Sequence, residues 1–342
     1  MGTAYVYDPI YLKHDLPSHP ENARRLKHIL SRMETEGLPA QLQRVEPRPA
    51  TSEELQQVHT SAHIERVQHV SEGGGGHLDP DTYVGLYSFE AALMAAGGLI
   101  RLVEAVIAGE VANGFALVRP PGHHATATRA MGFCLFNNVA IAARTALTEE
   151  SVKRVLIVDF DVHHGNGTQD AFADDPTVFY FSTHQYPYYP GTGHWSEAGT
   201  GDGTGSVLNV PLPAGVGDAG YARIFSELAW PLAERFRPDV ILVSAGYDGH
   251  WNDPLAQMSL SLRGYARLQQ ELVRMAEQLC GGRIVFTLEG GYQLDVLACG
   301  VLNGFYAMMG QDTIADPVGP SPQPERSIES LITRLKEVHN LN

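Results

Sequence analysis

Two short segments concentrate the residues able to do chemistry. Arg119-Pro-Pro-Gly-His123-His124-Ala125 sets two imidazoles side by side, and further along comes Asp159-Phe-Asp161-Val-His163-His164-Gly165-Asn166-Gly167. Between them they offer potential bases, metal ligands and a carboxylate to orient one of the bases. Burying such groups unpaired is costly, so their density points to a site that does chemistry. Asp161, His163 and Asp248 form the best ligand set. Asp161 and His163 stand two positions apart at an expected strand end, so both side chains are predicted to point the same way, with Asp248 closing the set from a neighbouring strand. Mixed carboxylate and imidazole ligation with one open position suits a catalytic zinc or another divalent ion. Taken alone, Asp-x-His is more often a surface pair; the polar groups on other strand ends give it weight.

A metal of this kind polarises a carbonyl and makes water nucleophilic near neutral pH. It then needs a general base and a proton donor for the leaving group, tasks that suit His123 and His124 on their Pro-Pro-Gly loop. Asp159 is expected to hold the N–H of one histidine and Asn166 that of the other; a carboxylate and an amide would split the two pKa values and so the two roles. Tyr292, in Glu289-Gly-Gly-Tyr292, can donate to a developing oxyanion, although Gly-Gly-Tyr alone is usually just a turn.

The elements that must position these residues follow from apolar patterning. Short unbroken apolar runs at 115–118, 155–158, 178–181, 240–244 and 284–288 read as strands of a sheet covered on both faces. Helices are predicted over 52–70, with a Thr51/Glu54 capping box, and over 88–108, 137–147, 219–236 capped by Asp218, and 262–280 stopped by Gly281-Gly282. Strand–helix alternation predicts an α/β protein, with a single mainly parallel sheet flanked by helices. His123-His124, Asp159–His163, Asp248 and Glu289–Tyr292 each follow a different strand, so they meet at the carboxyl edge, where such sheets build their sites. One domain over 1–342 is the simplest division: a core over 1–312, a Pro-rich linker at 317–324 and a peripheral helix at 325–342. The Gly73–Gly76 run is expected to be a flexible rim loop.

Composition sets the bounds. A chain of 342 residues with 44% hydrophobic and 18% charged content buries a sizeable core. The net charge of -15 argues against a nucleic-acid partner. It is compatible with a cationic substrate, or simply with solubility. No apolar run spans a bilayer and the first residues lack signal-peptide character, so no membrane partner is expected. Three scattered cysteines suit a reducing cytoplasm. Oligomeric state is left open.

The segments Arg119–Ala125, Gly132-Phe-Cys-Leu-Phe-Asn-Asn138, Asp159–Gly167, Tyr189-Pro-Gly-Thr-Gly193, Ser244-Ala-Gly-Tyr-Asp248 with Asp253-Pro-Leu255, and Leu288–Tyr292 resemble, in order, the signature blocks of the zinc-dependent histone deacetylases. The likeness covers 18–300 and is closest to the class II-like branch, with its bacterial deacetylase-like and acetylpolyamine amidohydrolase relatives; Asn166 in place of the class I Asp favours that branch. The resemblance implies the arginase/deacetylase fold and one zinc held by Asp161, His163 and Asp248. It implies His124 as general base, His123 as its electrostatic partner bonded to Asp159, and Tyr292 polarising the acyl carbonyl. Phe133 and Tyr189 would wall a channel for the substrate's methylene chain, beside the Gly132 carbonyl and Leu255. It also implies a structural potassium ion near Asp159, Asp161 and His163, with Ser182 and Thr183. His19 resembles part of an N-terminal loop and Arg25 is expected behind the site.

Departures from the family pattern are Tyr189 where many members have Phe, His250-Trp251-Asn252 as a segment expected to narrow the entrance, and Leu255 where polyamine-selective members carry Glu. The expected function is removal of acetyl or a related short acyl group from lysine side chains of a protein or peptide, by metal-activated water. The alternatives are the same chemistry on a small acylated amine such as an acetylpolyamine and, more remotely, an inactive acyl-lysine-binding module.

Overall fold

The computed structural model describes residues 1–341. Its strands in chain order are β1 (Thr3–Val6), β2 (Gln43–Arg44), β3 (Gly76–Asp79), β4 (Thr82–Val84), β5 (Asn113–Ala116), β6 (Val155–Asp159), β7 (Val178–Gln185), β8 (Val207–Leu212), β9 (Val240–Ala245) and β10 (Ile284–Leu288). Eight of them form one sheet in the order β2-β1-β5-β10-β9-β6-β7-β8, and β3 and β4 make a separate antiparallel hairpin. Every neighbouring pair in the large sheet is parallel. The arrangement is α/β with helices on both faces, as alternating apolar runs and amphipathic segments require.

All residues of β6, β9 and β10 are buried. That burial explains their unbroken Val/Ile/Leu/Phe character, since neither face meets water. Register brings their ends level: Asp159 lies opposite Ser244 on one side and Ser182 on the other, and Leu288 lies opposite Ala245. Residues that leave these strands therefore enter one shared space at the carboxyl edge. The helices Ser88–Ile107, Leu262–Cys280 and Leu294–Met308 cover the sheet. Among the described residues, no helix is long and apolar enough to cross a membrane.

Several elements differ from their sequence expectation. The helix expected over 52–70 is two helices, Ser52–Gln56 and Ser61–Glu72, because Thr60 takes an extended conformation and caps the second through the His63 amide. The Thr51/Glu54 capping box is present on the first. The helix expected at 219–236 passes through a π turn at Phe225–Ala229, and Asp218 does not cap it. Its carboxylate instead accepts from the Ser261 amide and hydroxyl at 2.8 and 2.6 Å, tying two helix starts together. The strand expected at 115–118 ends at Ala116. Gly76 opens β3, so the glycine loop is shorter than expected. The C-terminal helix is Glu329–His339.

β1, β2 and β8 carry no clear sequence signal. β8 contains Pro211, which lacks the N–H a central strand needs; it is tolerated because β8 is an edge strand paired only with β7.

Candidate active site and metal centre

β6 ends at Asp159, so Asp161 and His163 sit on the loop beyond it. Strand alternation therefore does not cause their shared direction. Side chains fold the loop instead: the Asp161 amide donates to Asp159 Oδ1 at 3.2 Å and the His163 amide to Asp161 Oδ1 at 2.9 Å. From the loop after β9, Asp248 Oδ1 accepts the Val162 amide at 3.0 Å. From the loop after β10, the Gly290 amide donates to Asp161 Oδ2 at 2.8 Å.

These bonds leave one ligand atom each of Asp161, His163 and Asp248 within 4.8 Å of one another. His163 Nδ1 faces Asp161 Oδ1 and Asp248 Oδ2, each at 3.2 Å. Burial disfavours charge on His163, yet its bonds to Asp161 and Asp248 outweigh that and lift its pKa well above the ordinary histidine value. Two buried carboxylates around one imidazole demand a positive charge, and a divalent cation displacing the proton satisfies that demand. The donor set fits zinc. A second group, His123, Cys134 and Glu289, also lies close together. Its donors are already engaged: His123 Nδ1 with Asp159, and the Cys134 thiol with the Gly132 carbonyl.

Glycine makes the close approach possible at two positions. A Cβ on Gly246 would lie 2.0 Å from Asp161 Oδ2, and one on Gly290 would lie 2.2 Å from Asp248 Oδ2.

His123 and His124 lie above this group with ring centroids 4.0 Å apart. His123 Nδ1–H donates to Asp159 Oδ2 at 3.0 Å, and the Tyr180 hydroxyl donates to the same oxygen at 3.1 Å. His124 Nδ1–H donates to Asn166 Oδ1 at 2.8 Å. An amide oxygen only accepts, so the His124 Nε2 lone pair is left free. Burial opposes charge on His123, but the Asp159 and Asp161 carboxylates outweigh it and raise its pKa to about 10. Burial, then the His123 and His163 rings, push His124 well below the ordinary value. The two imidazoles are thus polarised in opposite senses.

The cavity over these groups has a volume of about 270 Å³ and is lined by His123, His124, Asp161, His163 and Tyr292 at its floor, with Phe133, Tyr188, Tyr189 and Leu255 among its walls. Gly132 is also in the wall; a Cβ there would lie 2.3 Å from the His124 ring. Tyr292 meets Phe133 edge-on at 5.9 Å, and the Arg25 guanidinium lies 5.1 Å from the centre of its ring. Arg25 also donates to the Gly291 carbonyl at 2.8 Å, so the Gly-Gly-Tyr turn is held rather than free. Glu21 joins Arg25 to Arg119, fastening this turn to the segment that enters the histidine loop.

His19 packs edge-on against Phe133 at 4.6 Å. Ser182 and Thr183 lie buried in β7 beside β6, Ser182 donating to His184 Nδ1 at 2.9 Å and the Thr183 hydroxyl without a partner among the described residues. His250-Trp251-Asn252 does not narrow the entrance: His250 is buried, and Trp251 Nε1 donates to the Gly319 carbonyl at 2.9 Å, so the segment anchors the Pro-rich stretch.

Sequence reasoning missed Asp81 and Tyr188 in the cavity wall. The Tyr188 ring stacks on His163 and its hydroxyl donates to the Leu255 carbonyl at 2.9 Å. Sequence reasoning named Asp253 only within a family block and gave it no role; its carboxylate accepts from the amides of Leu255 at 2.9 Å and Tyr292 at 2.7 Å. Asp253 was readable as an acid close in sequence to Asp248; Asp81 had no such signal.

Comparison with known proteins agrees with this architecture. Residues 19–308 match the histone deacetylase domain. Histone deacetylase 14, chloroplastic, of Arabidopsis thaliana is 42% identical over 351 residues, covering 96% of this chain and 83% of that protein. A probable deacetylase of Archaeoglobus fulgidus is 40% identical over 348 residues, covering 100% and 96%. The crystal structure of the HDA15 HD domain superposes with a TM-score of 0.90 at 38% identity, over 99% of this chain and 95% of that one. The family match places this parallel α/β sheet, with its acid–imidazole cluster at the carboxyl edge, in a class of hydrolases, the deacetylases. Within it, the chain belongs to the histone deacetylase family.

Proposed function

We propose that this protein is a zinc-dependent deacylase that removes acetyl or a related short acyl group from lysine side chains. The observation that carries the reading is the convergence of Asp161, His163, Asp248, His123, His124 and Tyr292 beneath one aromatic-walled cavity. Bound by Asp161, His163 and Asp248, zinc would polarise the acyl carbonyl and lower the pKa of water beside it. His124, neutral with Nε2 free, takes the water proton and returns it to the departing amine. His123, held positive by Asp159, stabilises the charge that builds as the carbonyl carbon becomes tetrahedral. The Tyr292 hydroxyl donates to the carbonyl oxygen as it gains charge. Phe133, Tyr189 and Leu255 take the methylene chain, whose burial aligns the amide with the floor.

Asp81 in the cavity wall favours a second reading, an acetylpolyamine deacylase, because a carboxylate there would pair with a distal ammonium. Leu255 in the same cavity wall, apolar and held by Tyr188, favours the acyl-lysine substrate. Steady-state kinetics on an acetyl-lysine peptide and on N-acetylputrescine decide. A much larger kcat/KM on the peptide supports the first reading, and the reverse supports the second. A structural potassium ion near Asp159, Asp161, His163, Ser182 and Thr183 belongs to the same proposal. Replacing potassium by a large organic cation should then lower the melting temperature.

A further inference from the structure

Glu289 is a fully buried carboxylate with no part in the steps above. It is the first residue beyond β10, and burial pushes its pKa up to about 7 against the pull of His123 and the Gly122 amide. Among the described residues its carboxylate pairs with no arginine or lysine; its hydrogen-bond partners are neutral donors. Oε2 accepts the Gly122 amide at 2.7 Å and the His123 amide at 3.3 Å, and Oε1 accepts the Ser244 hydroxyl at 3.0 Å. The residue's main chain is equally committed: its N–H donates to the Ala245 carbonyl at 3.0 Å, and its carbonyl accepts from Arg25. The next residue, Gly290, donates to Asp161.

A buried carboxylate is expensive even with the His123 imidazolium nearby, and an apolar side chain in its place would leave the Gly122 and His123 N–H groups and the Ser244 hydroxyl buried without an acceptor. What the carboxylate adds is direction. Two successive backbone N–H groups on one oxygen fix the plane of the peptide that enters His123, and with it the directions from which both imidazoles leave the chain. The Ser244 bond fixes the carboxylate in turn to β9, the strand that leads to Asp248. We infer that Glu289 is a positioning residue that clamps the Gly122–His123 backbone so that His124 Nε2 faces the cavity floor, an inference that rests on the deacylase reading. It touches neither substrate nor metal.

The test compares Glu289→Gln, Glu289→Ala and Glu289→Asp in the zinc-loaded full chain. The Gln amide oxygen can accept both backbone N–H groups while its NH2 donates to Ser244, so this variant keeps the clamp and loses only the charge. It should retain kcat within about threefold and leave amide hydrogen exchange over 119–125 unchanged. Glu289→Ala should lower kcat by about 30- to 100-fold, the scale of a small misplacement of a catalytic group. Its KM should stay within about twofold, zinc content should be unchanged, and exchange over 119–125 should be faster. Glu289→Asp, which withdraws the carboxylate by one methylene, should fall between; if the Ala variant does not fold, the Gln–Asp contrast decides. Equal losses in the Gln and Ala variants would overturn the clamp in favour of a charge effect. Wild-type turnover and exchange in the Ala variant would overturn it outright. Should the wild type turn over no acyl-lysine substrate, the deacylase reading falls, and the exchange data still decide the clamp.

Discussion

At the floor of the cavity Asp161 and Asp248 are buried, and each is held by a backbone amide from a different loop, Gly290 and Val162. At the mouth the supports are sparser. Tyr189 keeps 37% of its surface exposed, and Arg129, itself largely exposed, joins Asp79 at the start of the segment that brings Asp81 into the wall. The floor is over-determined by short polar bonds between strand ends, whereas the mouth is assembled from loops and one hairpin. On the proposed function, groups that must meet to within a fraction of an ångström are built on the rigid sheet edge, and groups that would only choose among substrates are placed where change is tolerated.

Perturbing the floor should therefore act on metal and kcat, and perturbing the mouth on KM. The largest effect is expected from Asp161→Asn or Asp248→Asn: zinc lost on dialysis, read by elemental analysis, and kcat/KM reduced on the order of a thousandfold. Tyr292→Phe should lower kcat by about 10²–10³ with zinc retained, the usual scale for one oxyanion donor. Wild-type turnover in that variant would remove Tyr292 from the chemistry. Gly246→Ala pushes a methyl into Asp161 Oδ2 and should weaken zinc binding by about 10- to 100-fold while circular dichroism stays native. Tyr189→Phe should change KM by only about two- to threefold; a large fall in kcat would place this mouth residue with the floor.

The smallest expected effect concerns the chain that leaves the histidine pair. His59 Nδ1–H donates to the Thr126 carbonyl at 2.9 Å and Nε2 accepts the Asn137 amide at 2.8 Å, so the ring must be neutral. Burial lowers its pKa to about 3. An unfolded histidine titrates near 6.5, so the unfolded chain binds more protons below that pH. The stability His59 contributes is fully present above pH ~6.5 and is lost as pH falls toward 3. Melting temperature against pH should fall less steeply below pH ~6.5 in His59→Gln than in the wild type.

Much of the floor was legible because its residues follow apolar strands whose pattern is unmistakable. Asp159 after Val155–Val158, and Glu289 after Ile284–Leu288, announce a shared edge from the order of residue types alone. The mouth was harder to read. Asp81 comes from a two-stranded hairpin too short to leave a period, and Tyr188 works through a stack on His163 that no spacing encodes. The helix break at Thr60 was also hidden, since the apolar positions on either side suggest one continuous period. A cap won locally over that pattern. β8 escaped notice because Pro211 argues against a strand until its edge position is known.

The glycines around the proposed metal ligands have a consequence for altering this protein. At Gly246 and Gly290 the volume a side chain would occupy belongs to the carboxylates of Asp161 and Asp248. The centre is thus a mould whose walls are bare main chain, shaped jointly by that backbone and by the carboxylates that fold the loops onto it. An engineer who keeps those two positions empty keeps a vessel of the same dimensions for the carboxylates that line it. Filling either one would remove the vessel and leave the sheet standing.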